Sequence, residues 1–256
     1  MKIAFIRPNI FLFTTFALGI AITSTFMYCV NFKLDFYTYL VKSYNRNLLT
    51  LINNFFIFGI GIVGSIWTYI NYKRTNNVQF VFFYYFICSY TFEPLSILKY
   101  YFLNHELNLE FYYYMKIYNL ITVFSLLNLF FLSLHICDFQ IKSITYTIYL
   151  ILTFSIIYIS LAPINAYEHI NMNNSFLGIE NHKFYVNLLL LLTSANFLVA
   201  FLRKKTSSYF LLFLSISLIL IGIYLKLIEA PYSFIPISIG VSMYLKEAGK
   251  LFFYWL

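Results

Sequence analysis

The sequence predicts an all-α, polytopic integral membrane bundle of about eight transmembrane helices, with both termini cytoplasmic. Three observations carry this. Charged residues make up only 10% of the chain and its mean hydropathy is +0.77, whereas a soluble domain carries about a quarter charged residues. There are too few charges here to coat a soluble surface. The apolar residues also fall in runs of about 19 to 25, and at about 1.5 Å per residue each run reaches across a hydrocarbon core about 30 Å thick. Finally, Lys and Arg cluster at the ends of these runs, where membrane proteins keep them to fix orientation. The runs are apolar on all sides. Barrel strands would instead alternate apolar and polar residues.

The first run, 8–32, follows Lys2 and Arg7. It is longer than the roughly 7–15 apolar residues of a secretory signal, so it reads as a retained span. Over 33–48, Leu34, Tyr37, Val41 and Tyr44 recur at helical spacing, with Lys33, Lys42, Asn45 and Arg46 elsewhere on the wheel. That pattern fits an amphipathic helix lying on the outer surface. The second span, 49–72, ends at Lys73-Arg74. The third, 79–102, contains Glu93-Pro94, and the fourth, 112–136, carries Asn128. The fifth covers 143–164. The sixth, 184–202, carries Asn196 and runs into Arg203-Lys204-Lys205. The seventh, 208–228, holds Lys226 near its outer end. The eighth, 233–254, is interrupted by Lys246, Glu247 and Lys250. The whole chain is one transmembrane domain. Small residues at i,i+4 (Ala17 with Ala21, Gly61 with Ser65, Ser238 with Ser242) predict close helix packing.

With the N-terminus inside, ten of the seventeen Lys and Arg fall on the cytoplasmic side and seven outside. The tight clusters Lys73-Arg74 and Arg203-Lys204-Lys205 are both inside, in keeping with the positive-inside rule. These two linkers also resemble each other. Each is basic, then Thr, then small polar residues, then an aromatic-rich helix. They correspond if the chain is two four-helix halves of the same orientation, an arrangement known in transporters.

Composition excludes several function classes. A net charge of +8 and a pI near 9.2 would fit nucleic acid only with a basic patch on a soluble face. The basic residues here lie at span ends, so no nucleic-acid partner is expected. The 31 Phe and 25 Tyr follow the codon composition of an AT-rich genome. Cys29, Cys88 and Cys137 lie in or at the ends of apolar runs, with no zinc spacing. No HExxH, G-x-S-x-G, Walker A or G-x-G-x-x-G sequence occurs. The expectation is therefore a non-enzymatic protein without a cofactor, in a bacterial inner membrane: a small-solute or ion permease, or a sensor-like component. Its partners would be the lipid bilayer and membrane proteins or further copies of itself. An accessory subunit of a membrane complex and a lipid-acting enzyme are the alternatives.

The candidate residues are polar ones inside the membrane, because charges there are costly and by default mark function. Glu93 is the clearest, and Pro94 beside it should kink the helix and free carbonyls. Glu93 can bind a cation, relay a proton or pair with Lys226; Lys226 can instead pair locally with Glu229. Asn128 and Asn196 are expected to bond between helices, and His135 to bond Asp138 at a helix end. On the outer side His105 adjoins Glu106, His169 follows Glu168, and His182 lies two beyond Glu180. Imidazole with carboxylate suits a divalent metal, although solvated loop residues would look the same.

Overall fold

The computed structural model of the protein describes residues 46–97, 109–140, 143–161, 182–228 and 230–253. Among them every element is helical and no strand occurs. α1 spans Arg46–Thr75 and α2 Val78–Cys88, and α2 continues into a 3₁₀ segment, Ser89–Ile97. α3 (Leu109–Ile136), α4 (Ile144–Leu161), α5 (His182–Lys204), α6 (Ser207–Leu227) and α7 (Phe234–Phe253) follow. Five helices are long and apolar enough to cross a membrane: α1, α3, α4, α5 and α6. α2 falls short because its α-helix stops at Cys88. α7 carries Lys246, Glu247 and Lys250. The first predicted span and the surface segment up to residue 45 lie outside the described residues; α1 already runs as helix from Arg46.

Local sequence sets the helix ends. Asn76 (φ 49°), Asp138 (φ 68°) and Lys205 (φ 49°) take the left-handed conformation just beyond α1, α3 and α5, which terminates a helix by turning its last carbonyls inward. Asn77 then caps α2, its side chain accepting from the Gln79 amide at 2.9 Å. α2 is buried on every side from Gln79 to Cys88, so it is the central element.

The switch to 3₁₀ departs from the predicted kink. The backbone tightens at Ser89, five residues before Pro94, and stays tight for nine residues; 3₁₀ runs beyond about 3–4 residues are uncommon. Proline's ring would collide with the Tyr90 carbonyl in an α-helix. Two hydroxyls hold the transition in place by donating to carbonyls of the last α-turn: Ser89 to Phe86 at 2.6 Å and Thr91 to Cys88 at 2.7 Å.

The helices pack in an order that repeats. α1 packs on α2 as α5 packs on α6; α2 packs on α3 as α6 packs on α7; α3 packs on α5 as α7 packs on α1. The linkers match too. Asn76 and Lys205 share φ 49°, and each amide donates four residues back at 2.8 Å, to Tyr72 and to Phe201. The following caps, Asn77 (ψ 130°) and Thr206 (ψ 151°), are both extended. In this structural register Thr206 corresponds to Asn77 rather than to Thr75, two residues off the basic-then-Thr likeness of the two linkers.

Close approach depends on glycines. A Cβ on Gly61 would stand 2.8 Å from the Thr91 nitrogen, and one on Gly240 would stand 2.6 Å from the Ser215 carbonyl oxygen. Gly222 faces Ile237 in the same α6–α7 contact. Ser238 and Ser242 do not make that contact: Ser242 is exposed and Ser238 half-buried. Two residues along a helix turn about 200°, so both point away from the Gly240 face. Many large apolar side chains, among them Val63, Leu150, Phe154, Leu161, Leu191 and Leu202, are exposed, as a lipid-facing surface requires.

Candidate functional site

The 3₁₀ segment carries Glu93 into the interior, where the residue is 3% exposed. Its Oε2 forms an ion pair with Nζ of Lys226, which sits in the last turn of α6. Oε1 accepts a hydrogen bond from the Tyr118 hydroxyl of α3 at 3.3 Å. Three elements distant in sequence therefore converge on one carboxylate. The ammonium lies 5.5 Å from the centre of the Tyr90 ring and 5.9 Å from that of Tyr118, within reach of cation–π attraction. It also benefits from the C-terminal end of the α6 dipole.

Beside the pair is a cavity of about 30 Å³, with Ser89, Thr122 and Ser125 among its polar lining and Phe86 and Ile223 among its apolar lining. At about 10–15 Å³ per water, it has room for about two water molecules. The Tyr90 hydroxyl is buried and has no hydrogen-bond partner among the described residues. The same holds for both amide atoms of Asn119, next to Tyr118.

The structure therefore brings Glu93, Pro94 and Lys226 together. Glu229, the other partner considered for Lys226, lies outside the described residues. Tyr118 and Tyr90 carried no signal in the sequence, because 25 tyrosines hide the two that matter.

The two asparagines differ. Asn196 does bond between helices, its Nδ2 donating to the Ser133 hydroxyl at 2.9 Å while the Cys137 thiol donates to its backbone oxygen at 3.0 Å. Asn128 instead donates to the Phe124 carbonyl of its own helix at 2.8 Å. A residue four positions back lies directly beneath it on the same face, so the local carbonyl is the nearer acceptor. The expected His135–Asp138 bond at the helix end is made through the backbone, the Asp138 amide donating to the His135 carbonyl at 3.1 Å, while the two side chains turn elsewhere. Left-handed backbone turns Asp138 toward Lys204, with which it pairs at 2.9 Å, and His135 Nδ1 meets the Gln79 amide nitrogen at 3.3 Å. Burial pushes the Cys137 thiol above its ordinary pKa, more than the nearby Arg203 pulls it down.

His182 opens α5. His105, His169, Glu168 and Glu180 lie outside the described residues, and no group of three His, Cys, Asp or Glu able to hold a metal occurs among the described ones. Compared with known proteins, the chain matches no family model, and no curated protein or solved structure is significantly similar to it.

Proposed function

We propose that the chain crosses a bacterial inner membrane eight times, with both termini cytoplasmic, and acts as a non-enzymatic permease for a proton or small cation, with Glu93 as its charged centre. The observation that carries this reading is the buried Glu93–Lys226 pair set against a water-sized cavity. Stability does not account for such a pair, since replacing a buried ion pair by apolar residues of the same volume is often neutral or stabilising. An exchangeable counter-ion does account for it. The lysine stem is long enough to carry its ammonium outward, and a cation arriving at the carboxylate takes its place. A cavity with room for two waters selects ions and protons over larger solutes. The repeated helix packing supports the same reading, because duplicated halves are common in transporters.

The test uses purified protein in liposomes, with an internal pH dye and, separately, dyes for Na⁺ and K⁺. The wild type carries at least one of these ions down an imposed gradient, and Glu93→Gln abolishes the flux while inserting normally. Undiminished flux in Glu93→Gln overturns the reading.

A further inference from the structure

Buried polar atoms without partners are rare, because each costs free energy unless something satisfies it. Three such hydroxyls lie on elements that pack against one another: α1, α2 with its 3₁₀ continuation, and α7. They are Tyr90 on the 3₁₀ segment, Ser65 on α1 and Tyr244 on α7, with 4%, 1% and 0% exposure. Their depths follow from the packing. Gly61 abuts Tyr90, Gly64 lies between Ile87 and Val241, and Tyr244 stacks on Phe83 at 4.0 Å. In that register Ser65 lies one turn inward of Tyr90, and Tyr244 lies inward of Ser65. One turn outward of Tyr90 is Glu93. One turn inward of Tyr244 is Glu247, itself buried, whose carboxylate meets the exposed Lys250 at 2.7 Å. The five groups descend in axial steps of about 3 to 6 Å, on a rise of about 1.5 Å per residue in α winding and about 2.0 Å in 3₁₀ winding.

We infer that these three hydroxyls mark a hydrated proton path leading from Glu93 inward to Glu247. The inference rests on the permease reading of Glu93 and names its cargo as the proton. A hydroxyl both donates and accepts, so each can pass its own proton inward while receiving one from the outer side. Waters between the hydroxyls complete the chain and supply the missing hydrogen bonds. The net result of one passage is a single proton moved from the Glu93 cavity to the Glu247 carboxylate. No bond other than O–H is made or broken, and no electron moves.

Two measurements on the full-length protein test this. Radiolytic hydroxyl labelling read by mass spectrometry reports bound water whether or not ions move. Tyr90 and Tyr244 are labelled, whereas Phe82 and Phe197, equally buried, are not. In liposomes with the pH dye, Tyr244→Phe, which keeps the stacking on Phe83, and Ser65→Ala each slow proton flux about tenfold, the worth of one hydrogen bond in a relay. Unlabelled Tyr90 and Tyr244, or wild-type proton flux in both variants, overturns the path. If flux is then still lost in Glu93→Gln, the permease reading stands without it. If Glu93→Gln conducts normally, both fall.

Discussion

Removing the Glu93 carboxylate charge while keeping its shape isolates the ion pair from packing. In Glu93→Gln the Lys226 ammonium keeps its two aromatic neighbours at 5.5 and 5.9 Å but loses the Glu93 charge. Breaking a buried pair by deleting one partner costs about 3–5 kcal/mol. Lys226 sits one residue from the end of α6, with a side chain 16% exposed, so moving the ammonium outward recovers part of that, leaving about 2–3 kcal/mol. Lys226→Met strands the carboxylate on a single 3.3 Å hydrogen bond from Tyr118 and should cost at least as much. The double variant Glu93→Gln/Lys226→Met buries no charge and should return to within about 1 kcal/mol of wild type. The assay is equilibrium unfolding of all four proteins in mixed micelles of mild detergent and SDS. The expected coupling energy is about 2 kcal/mol or more, against the few tenths that independent sites show. Additive single-variant effects would refute the pair as an energetic unit, and with it the argument that the site holds a charge waiting to be exchanged.

Other substitutions follow from the packing. Gly240→Ala puts a methyl 2.6 Å from a backbone oxygen and should destabilise by about 1–3 kcal/mol. Gly249→Ala meets nothing within 4 Å and should stabilise by about 0.5–1 kcal/mol through helix propensity; thermal unfolding of the two distinguishes them by sign. Asn53 Oδ1 accepts from both the Ser233 hydroxyl and the Phe234 amide at 3.1 Å, so Asn53→Ala should uncap α7 at a cost of about 1–2 kcal/mol, read by the same assay. Because burial raises the Cys137 pKa, its thiol stays protonated at neutral pH. Maleimide labelling at Cys137 should be slower than at an exposed cysteine at pH 7 and rise about tenfold per pH unit as the thiolate forms. The same sign applies to stability: the contribution of this thiol is intact below the unfolded pKa of about 8.5 and is lost as pH climbs through the raised folded value.

What the sequence disclosed and what it hid divide along physical lines. Spans such as Ser207–Leu227 were legible because hydrocarbon imposes length and apolarity on a contiguous stretch. Glu93 and Lys226 were legible because charge in such a stretch is rare enough to notice. Their pairing was only one of two options, since nothing local says whether Lys226 meets Glu229 three positions on or Glu93 133 positions back. Tyr118, Tyr90 and Tyr244 were invisible for the opposite reason: an aromatic in an aromatic-rich chain is conspicuous only once its hydroxyl is found buried. The Asn128 expectation failed because its amide donates to the Phe124 carbonyl one turn back on the same face of its own helix. The glycine contacts at Gly222 and Gly240 were missed because a spacing rule finds pairs within one helix, while this contact joins two.

The nine-residue 3₁₀ segment makes Glu93 part of a screw. Each residue advances about 120° and 2.0 Å in 3₁₀ winding but about 100° and 1.5 Å in α winding. Rewinding the five residues from Ser89 to Glu93 would therefore swing the carboxylate about 100° around the helix axis and draw it about 2.5 Å inward. That turn carries it off Lys226 without moving α2 as a body. Pro94 sets the stop, since its ring meets the Tyr90 carbonyl as soon as the α winding reaches it. A thread of this pitch converts a local change in hydrogen bonding into the making or breaking of one ion pair.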